Sequence, residues 1–546
     1  MGKIIEFLVR TDVWLGTIVV VLVPVLSALL FHKLKELRRQ TNMRPKQHFI
    51  PSSIVLSEKL TSNVKSIKAI VGDSSDIIFR QFKLGNDNRS CSIVHIDGLV
   101  DTQQLQQAIL HPLLHGKQTK TKLNLFKSQS IKDYLLNHTI EVSDIKVTKE
   151  IDKVVRQLLS GSVLLLVDGL DEALLLSVKK WVSRSVEEPI SESLVRGPRM
   201  GFIENLRDNT AILRRMTTDP NLTFKDFDVG ERTKKQLTIA YIRDIANEEL
   251  LTEVTRRIED LDIDHVAESG YIEQLIEDNY FSIFPQVQST ERPDRVMAAI
   301  LEGRVAIMLD GTPYVLIAPA TFSIMLQSPE DYYERWIPMS LIRVLRYVAA
   351  LLSVFLPSFY IAFVSFHQGL IPTDLALAIA GTRVGVPFPT IIEALLMEVS
   401  IELLREAGLR LPKPVGQTVG LVGALIIGEA AVQAGLVSPI MVIVVSATAI
   451  SSFVSPQYNA GIALRSLRFL SMFSAALLGL YGISLFFVAL CIHAVKLKSF
   501  GLPYVTPGTL YSKEDWKDFF LRLPLFTMRK RPAEYFPKDQ VRMRKK

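Results

Sequence analysis

The chain has 546 residues, of which 48% are hydrophobic and 22% charged, with a formal net charge of +7 and a mean hydropathy of +0.24. It is longer than an ordinary single domain and too apolar for a wholly soluble protein, which indicates a membrane protein with a soluble part. Its two cysteines, Cys91 and Cys491, are too few for a disulfide framework.

The first predicted element is a membrane anchor near the N-terminus. Val13–Phe31 is uncharged and is followed by a basic flank that includes Lys33, Arg38 and Arg39. This flank favours a cytoplasmic location for the segment that follows. A cleaved secretory signal is the alternative, but the apolar stretch is long and no small-residue cleavage site follows it. We therefore assign residues 1–50 to an anchor and its basic flank.

The next region alternates short apolar runs with helical patterns. Three runs end in Asp-Gly and predict buried strands leading into turns: Ser92–Asp97, Val163–Asp168 and Val305–Asp310. Helical patterns are found at Ile151–Leu159, at Ser191–Arg215 with a break near Gly197-Pro198, and at Leu250–Leu261. The alternation predicts a soluble α/β region. A change in the residue pattern near Ile140–Thr148 divides this region into two predicted subdomains, residues 51–145 and 146–335.

Catalytic and metal-binding motifs are missing from the sequence of this region. Gly116-Lys117 lacks the upstream glycine of a phosphate-binding loop, and no His or Cys pair has metal-ligand spacing. Asp168, Asp171 and Glu172 are a conceivable Mg²⁺ site, but an Asp-Gly turn with a solvated acid is the favoured interpretation. We predict a protein that is not an enzyme and has no cofactor or metal.

Residues 336–500 are predicted to form an α-helical, multi-span membrane domain. Four apolar stretches reach spanning length: Tyr347–Phe366, Val415–Ala434, Val437–Val454 and Phe469–Val495. The sequence leaves open whether Ile371–Glu406 crosses the membrane, re-enters it or lies along it.

The last predicted element, residues 501–546, is a basic cytoplasmic tail. After Thr527 it has eight Lys or Arg residues against Glu534 and Asp539. Either a solvated tail or a contact with anionic membrane lipid fits this composition. Nucleic-acid binding is not predicted, because no aromatic-interleaved basic groove accompanies the charges.

Acidic residues within the membrane domain are the candidate functional groups. At about 100° per residue, Glu398, Glu402, Arg405 and Glu406 fall within roughly a third of one helix circumference. Such a stripe fits a solvated interfacial helix, a salt bridge through Arg405 or Arg410, or a vestibule that attracts cations. Another acid lies in the stretch Val415–Ala434. The ion-path candidates are Glu398, Glu402, Glu406 and Glu429.

Four glycines place small side chains on successive turns near that last acid. They are Gly416, Gly420, Gly423 and Gly428. Small residues at this spacing permit close helix packing, either within one subunit or against the next subunit of a ring.

Four arginines in the soluble region are candidates for a subunit interface. They are Arg196, Arg207, Arg214 and Arg215, spaced among acids at close to one helical turn. A solvated helix with local i to i+4 pairs is the alternative.

Several long blocks of sequence resemble those of one protein family. The chain reads EPISESLVRGPRMGFIENLRDNTAILRR from Glu188, FPQVQSTERPDRVMAAILEGRVAIMLDGTPYVLIAP from Phe284 and LQSPEDYYERW from Leu326. In the membrane domain it reads VPFPTIIEALLMEVSIELLREAGLRLP from Val386 and RSLRFLSMFSAALLGLYG from Arg465. These blocks resemble the A subunits of spore germinant receptors, the GerA family. The resemblance extends from about Gly72 to Pro503.

The resemblance implies a soluble domain on the cytoplasmic side of the spore inner membrane and a multi-span membrane domain. It implies a permease-like B subunit that senses the germinant and a lipoprotein C subunit as partners. It also implies homo-oligomerisation into an element that conducts monovalent cations. The alternatives are a non-conducting signalling scaffold, a paralogue acting with dipicolinate-release proteins, and a secondary transporter, although no paired broken repeats are visible.

Overall fold

The structure is a computed structural model that describes residues 55–85, 89–115, 128–180, 188–189, 192–411, 423, 427–507 and 515–543. The predicted anchor at 1–50 lies outside the described residues, as do Gly416, Gly420 and most of the predicted span Val415–Ala434. The described chain divides into an α/β region, a helical region and a C-terminal segment.

The first subdomain contains one five-stranded sheet. Its main elements are α1 (Leu60–Val71), β1 (Ile77–Lys83), β2 (Ser90–Ile96), β3 (Ile145–Thr148), α2 (Ile151–Leu159), β4 (Val163–Val167) and β5 (Ala173–Leu176). Between β2 and β3 lie short helical segments at Thr102–Gln104, Leu105–Leu110, His111–His115, Ser128–Tyr134 and Leu135–Thr139. The strand order is β1-β2-β4-β5-β3, and every neighbouring pair is antiparallel.

The second subdomain repeats this plan. It contains α3 (Leu206–Met216), β6 (Leu222–Val229), β7 (Lys235–Ile242), α4 (Glu248–Glu259), α5 (Ser269–Ile276), β8 (Gln288–Thr290), α6 (Pro293–Leu301), β9 (Val305–Leu309) and β10 (Val315–Ala318). The strand order is β6-β7-β9-β10-β8, again antiparallel throughout. Each sheet therefore places its five strands in the same order relative to the chain.

The three predicted Asp-Gly strands are confirmed as β2, β4 and β9, and their side chains are mostly buried. The predicted boundary between residues 145 and 146 is wrong, because β3 pairs with β5 inside the first sheet. The division lies between β5 and α3. The predicted helix Ser191–Arg215 is also wrong over most of its length, since only Leu206–Met216 is helical.

The helical region contains five helices of ten residues or more in its described part. They are α7 (Trp336–Ser365), α8 (Thr373–Thr382), α9 (Thr390–Arg410), α10 (Pro439–Phe453) and α11 (Tyr458–Lys496). A shorter helical stretch covers 427–433. By length and composition, α7 is sufficient to cross a membrane, and so is the 39-residue stretch of α11 taken without its internal break.

α11 is two helices that meet at Gly479. This residue has φ 60° and ψ −138°, a conformation open to glycine but not to residues with a Cβ. The chain doubles back there, so that a side chain at Gly482 would collide with the carbonyl of Ser474. The first arm contacts α7 through Ser471 and Ser358, whose hydroxyls are 2.8 Å apart. The second arm packs Phe486 and Phe487 against Phe355 of the same helix.

The span predictions are accordingly revised. Tyr347–Phe366 lies almost entirely within α7, as predicted. Val437–Val454 forms only the 15-residue helix α10, which is about 22 Å long and shorter than a bilayer core of about 30 Å. The predicted continuous span Phe469–Val495 is wrong, because the break at Gly479 interrupts it.

The C-terminal segment is folded against the second subdomain over its described residues, so the solvated tail, one of the two predicted forms, is wrong there. Arg531 Nε donates to the carbonyl of Leu301 at 2.7 Å, and Lys538 Nζ contacts Glu248 at 2.8 Å. Asp518 also accepts from Arg343 of α7 at 2.7 Å. The segment thus ties the second subdomain to the beginning of the helical region.

Candidate ion-path residues in the helical region

Glu398 is neutralised within the chain by an arginine on the neighbouring helix α11. Its carboxylate pairs with Arg468 Nη1, and both side chains are almost completely buried. Arg468 Nε also donates to the carbonyl of Ser353 on α7 at 2.7 Å. The pair therefore fastens α9, α7 and α11 together. A buried charge needs such a partner, since its desolvation is otherwise costly.

Glu402 lies one turn further along α9 and is less enclosed. Arg465 Nε approaches one carboxylate oxygen at 3.2 Å, and Arg405 Nη1 approaches the other at 3.6 Å. The carboxylate keeps an exposed fraction of 40%. Arg405 also donates to Ser452 at 2.9 Å and lies over the ring of Phe453. The predicted salt bridge through Arg405 is present, and Arg465 adds a second cation.

The two remaining candidates are exposed. Glu406 pairs with Arg410, one turn on, at 2.6 Å. Glu429 accepts a hydrogen bond from Gln433 at 3.1 Å and has no ion pair with any residue that the structure describes. Of the four predicted carboxylates, Glu429 is therefore the one whose charge is not matched within the described chain.

The described glycines of the packing motif face helices of the same chain. A Cβ at Gly423 would lie 2.8 Å from Leu404 Cδ2 of α9, and one at Gly428 would lie 3.5 Å from Val442 Cγ1 of α10. Close approach thus occurs within one subunit for these two positions, while the positions of Gly416 and Gly420 are not described.

Sequence reasoning did not single out the partners of the acidic stripe. Arg465 and Arg468 lie one turn apart in an otherwise apolar sequence, and a search for cations spaced like Glu398 and Glu402 would have found them. Glu393, which lies off the stripe, is also paired. It accepts from the backbone of Ser438 at 2.7 Å and lies 3.5 Å from Arg383.

The four candidate interface arginines all have partners in their own chain. Arg196 Nη1 approaches Glu334 at 3.4 Å, Arg207 Nε approaches Asp97 at 3.4 Å, and Arg215 donates to the carbonyl of Lys180 at 2.9 Å. Arg214 is enclosed between the subdomains, where its Nε donates to Asp76 at 2.8 Å. A role for Arg214 in contacts between subunits is therefore wrong, because its side chain is inaccessible.

A comparison of sequences places the chain among known proteins. The sequence profile of the Bacillus/Clostridium GerA spore germination protein matches residues 65–534. The chain belongs to the GerA family.

Among its relatives, Spore germination protein B1 of Bacillus subtilis (strain 168) is 45% identical over 494 residues, which are 90% of this chain and 100% of that protein. Spore germination protein KA of the same organism is 43% identical over 493 residues, 90% of this chain and 89% of that one. The crystal structure of the N-terminal domain of the A subunit of the Bacillus megaterium spore germinant receptor GerK3 is 35% identical, with a TM-score of 0.39. It covers 50% of this chain and 99% of that domain.

Spore germination proteins B1 and KA carry the names of germination proteins and not of enzymes. The GerA-family chain is accordingly a non-enzymatic protein with a role in germinant reception, associated with a membrane. Within its described residues there is no group of three or more His, Cys, Asp or Glu side chains arranged to hold a metal ion.

A cavity of about 300 Å³, lined mostly by residues with polar side chains, lies between the second subdomain and the beginning of α11. Its lining includes Glu268, Glu273, Tyr314 and Tyr458. Burial, together with the charges of Glu277 and Glu268, raises the pKa of Glu273 to about 7. This junction joins the α/β and helical regions of the GerA-family chain, and a hydrogen bond between Glu273 and Asn459 crosses it.

Proposed function

We propose that this chain is the A subunit of a spore germinant receptor in the spore inner membrane. It couples nutrient sensing by a permease-like B subunit, with a lipoprotein C subunit, to the release of monovalent cations. Several copies of the chain form the conducting element, and the α/β region lies on the cytoplasmic side.

The exposed carboxylate of Glu429 is the observation that favours conduction. It lies in a helical stretch packed against α10, within a region whose outer surface is largely apolar. An exposed carboxylate in such an apolar region requires water or a cation beside it, since lipid hydrocarbon would not accommodate the charge. Copies of the chain around an axis would bring these carboxylates into one ring, which attracts cations and repels anions.

The matched charges of Glu398 and Glu402 favour the second candidate, a non-conducting scaffold. Glu398 is neutralised by Arg468, and Glu402 is flanked by Arg405 and Arg465. Residues neutralised in this way hold helices together and contribute little to a field that selects cations. A scaffold of this kind would pass the signal from the α/β region to another subunit that moves the ions.

Replacing Glu429 by Gln separates the two candidates. In spores that carry Glu429→Gln, with unchanged protein levels, we expect nutrient-triggered K⁺ release to slow several-fold. Glu406→Gln is the matched control, because Glu406 is also exposed in the helical region but is already paired with Arg410. Its release should remain close to that of the wild type.

If both variants release K⁺ as fast as the wild type does, the ion-path role of Glu429 is contradicted and the scaffold is favoured. A loss of release in Glu406→Gln as large as that in Glu429→Gln would show that any carboxylate change in this region disturbs the protein, and the ion-path assignment would fall with it.

A further inference from the structure

The loop between α5 and β8 exposes an unusual group of apolar side chains. Tyr280 and Phe281 have exposed fractions of 76% and 82%, and their rings are in contact, tilted by 39° with centroids 4.4 Å apart. Ile283 is exposed beside them. Aromatic side chains of this size are normally buried in soluble domains, so a contiguous exposed group points to a contact surface.

This loop lies against the end of the second arm of α11. Ser282 Oγ is 3.0 Å from His493 Nε2, and the ring of Phe284 stacks on the same imidazole with centroids 6.2 Å apart. Because this arm runs antiparallel to α7, with Phe355 facing Phe486 and Phe487, His493 is level with about residue 348 of α7.

A second segment reaches the same level from the C-terminal side. The ring of Tyr347 on α7 is 5.8 Å from that of Phe519 and 4.9 Å from that of Phe520. Beside these contacts, Trp516, Phe520 and Leu521 are exposed. Two parts of the chain that are far apart in sequence thus expose aromatic residues at one level of the α7–α11 pair. We call this set the aromatic collar: Tyr280, Phe281, Ile283, Trp516, Phe520 and Leu521.

We propose that the aromatic collar lies in the headgroup region of a lipid bilayer and seats the second subdomain on the membrane. Above this level the sequence of α7 is uncharged from Tyr347 to Phe366, and below it Lys496 and Lys498 are exposed at the end of α11. Tyr and Trp rings such as those of Tyr280 and Trp516 concentrate at such a boundary because each joins an apolar body to a polar O–H or N–H group, and lysines flank it on the aqueous side.

This proposal rests on the membrane placement in the proposed function but not on conduction. The collar is continuous with the exposed apolar surface of α7 and α11, which includes Leu351, Phe487 and Val488. That continuity favours lipid as the occupant. A second copy of the chain or another receptor subunit would instead cover the rings and exclude lipid from them.

The test introduces a tryptophan as a depth reporter in the full-length protein. Phe281→Trp and Ile78→Trp are purified into nanodiscs of phosphatidylcholine and phosphatidylglycerol, with or without brominated acyl chains. Ile78 is the matched control, because it is an exposed apolar residue on the edge strand β1 of the first sheet. Both variants keep the native tryptophans, so the difference from wild type isolates the added indole.

We expect the added indole of Phe281→Trp to emit at shorter wavelength and to lose several times more emission to brominated lipid than that of Ile78→Trp. Trp516→Phe should reduce the lipid-quenched share of the wild-type emission. Unchanged size-exclusion profiles and circular dichroism establish that the variants fold.

Quenching of the Phe281→Trp indole by aqueous iodide and not by lipid would overturn the proposal, and so would shielding from both quenchers, which would indicate a protein partner. The assay needs neither germinant nor current. A negative result in this assay therefore does not affect the proposal of cation conduction. A negative result in the cation-release experiment does not affect the proposed position of the aromatic collar.

Discussion

The two α/β subdomains share one plan but differ in their connections. In the first, Asp168 Oδ1 accepts from the backbone N–H of Leu60 at 3.0 Å. In the second, Asp310 Oδ1 accepts from that of Leu206 at 3.2 Å. Each carboxylate follows the fourth strand of its subdomain and tethers the first helix. The repeat therefore extends from strand order to individual hydrogen bonds.

The outward-facing positions of the two copies are not alike. Lys68 of α1 is exposed and lies 3.4 Å from Asp73, whereas Arg214, at the corresponding position of α3, is buried against Asp76 of the first subdomain. Only the second copy is in contact with the C-terminal segment through Arg531 and Lys538 in the described structure. The internal tethers preserve the fold of each copy, and the divergent surface positions connect the copies to each other and to the helical region.

Breaking the connection between the subdomains should have the largest effect on the free energy of unfolding. Arg214→Ala leaves the buried carboxylate of Asp76 unpaired, which should lower the free energy of unfolding by about 3–5 kcal/mol. Lys68→Ala, the equivalent change in the first copy, removes an exposed pair and should cost about 1 kcal/mol or less. Pulse proteolysis of the purified protein across a urea series measures both values. Equal losses would contradict the distinction between the two copies.

Breaking a shared tether should give a smaller effect of equal size in both subdomains. The amide of Asn63 exchanges hydrogen bonds with the backbone of Ser57 at 2.8 and 2.6 Å, and that of Asn209 does so with Ile203 at 2.9 and 2.6 Å. Either Asn→Ala change leaves backbone groups without partners and should cost about 1–3 kcal/mol. The same urea series compares them. A loss of stability in only one of the two variants would argue against equivalent tethers in the two subdomains.

A further expected difference is a pH dependence that Glu302 contributes to the second copy. Ser160 follows α2, and Glu302 follows α6 at the corresponding position. Burial raises the pKa of the Glu302 carboxyl from 4.5 to about 7, despite the opposing charges of Arg542 and Arg304. Between these values the folded protein holds a proton that the unfolded chain has released, so the stability contributed by Glu302 is complete below about pH 4.5 and is lost as pH rises to about 7.

Glu302→Gln should therefore flatten the dependence of the thermal midpoint on pH between about pH 5 and about pH 7. Ser160→Ala is the control and should leave the dependence unchanged. A wild-type midpoint that rises through this interval would contradict the raised pKa of Glu302.

Parts of the fold that depend on local sequence were predictable. β4 and β9 are uninterrupted apolar runs and β2 is a partly apolar one. Each is followed by Asp-Gly, and a turn there needs no information from elsewhere in the chain. The subdomain boundary was not predictable, because the pairing of β3 with β5 connects strands on opposite sides of α2. The charges before α3 suggested a helix, but Glu192 instead pairs with Arg295, far along the chain, at 3.1 Å.

For the candidate ion-path residues too, local features were predictable from the sequence and long-range contacts were not. Helical periodicity correctly grouped Glu398 and Glu402 on one face of α9, because that grouping is a local property. Their partners Arg468 and Arg465 belong to α11, and only the folding of α11 against α9 brings them close. The doubling back at Gly479 was also missed, since a lone glycine in an apolar stretch does not distinguish a continuous helix from a turn.

The conductance of the purified chain alone is the most direct measurement of the proposed function. Inserted into a planar bilayer with a K⁺ gradient, the wild type should pass a cation-selective current that Glu429→Gln reduces and Glu406→Gln does not. A chain that inserts and oligomerises but passes no current would contradict conduction by the A subunit and would leave it as a scaffold.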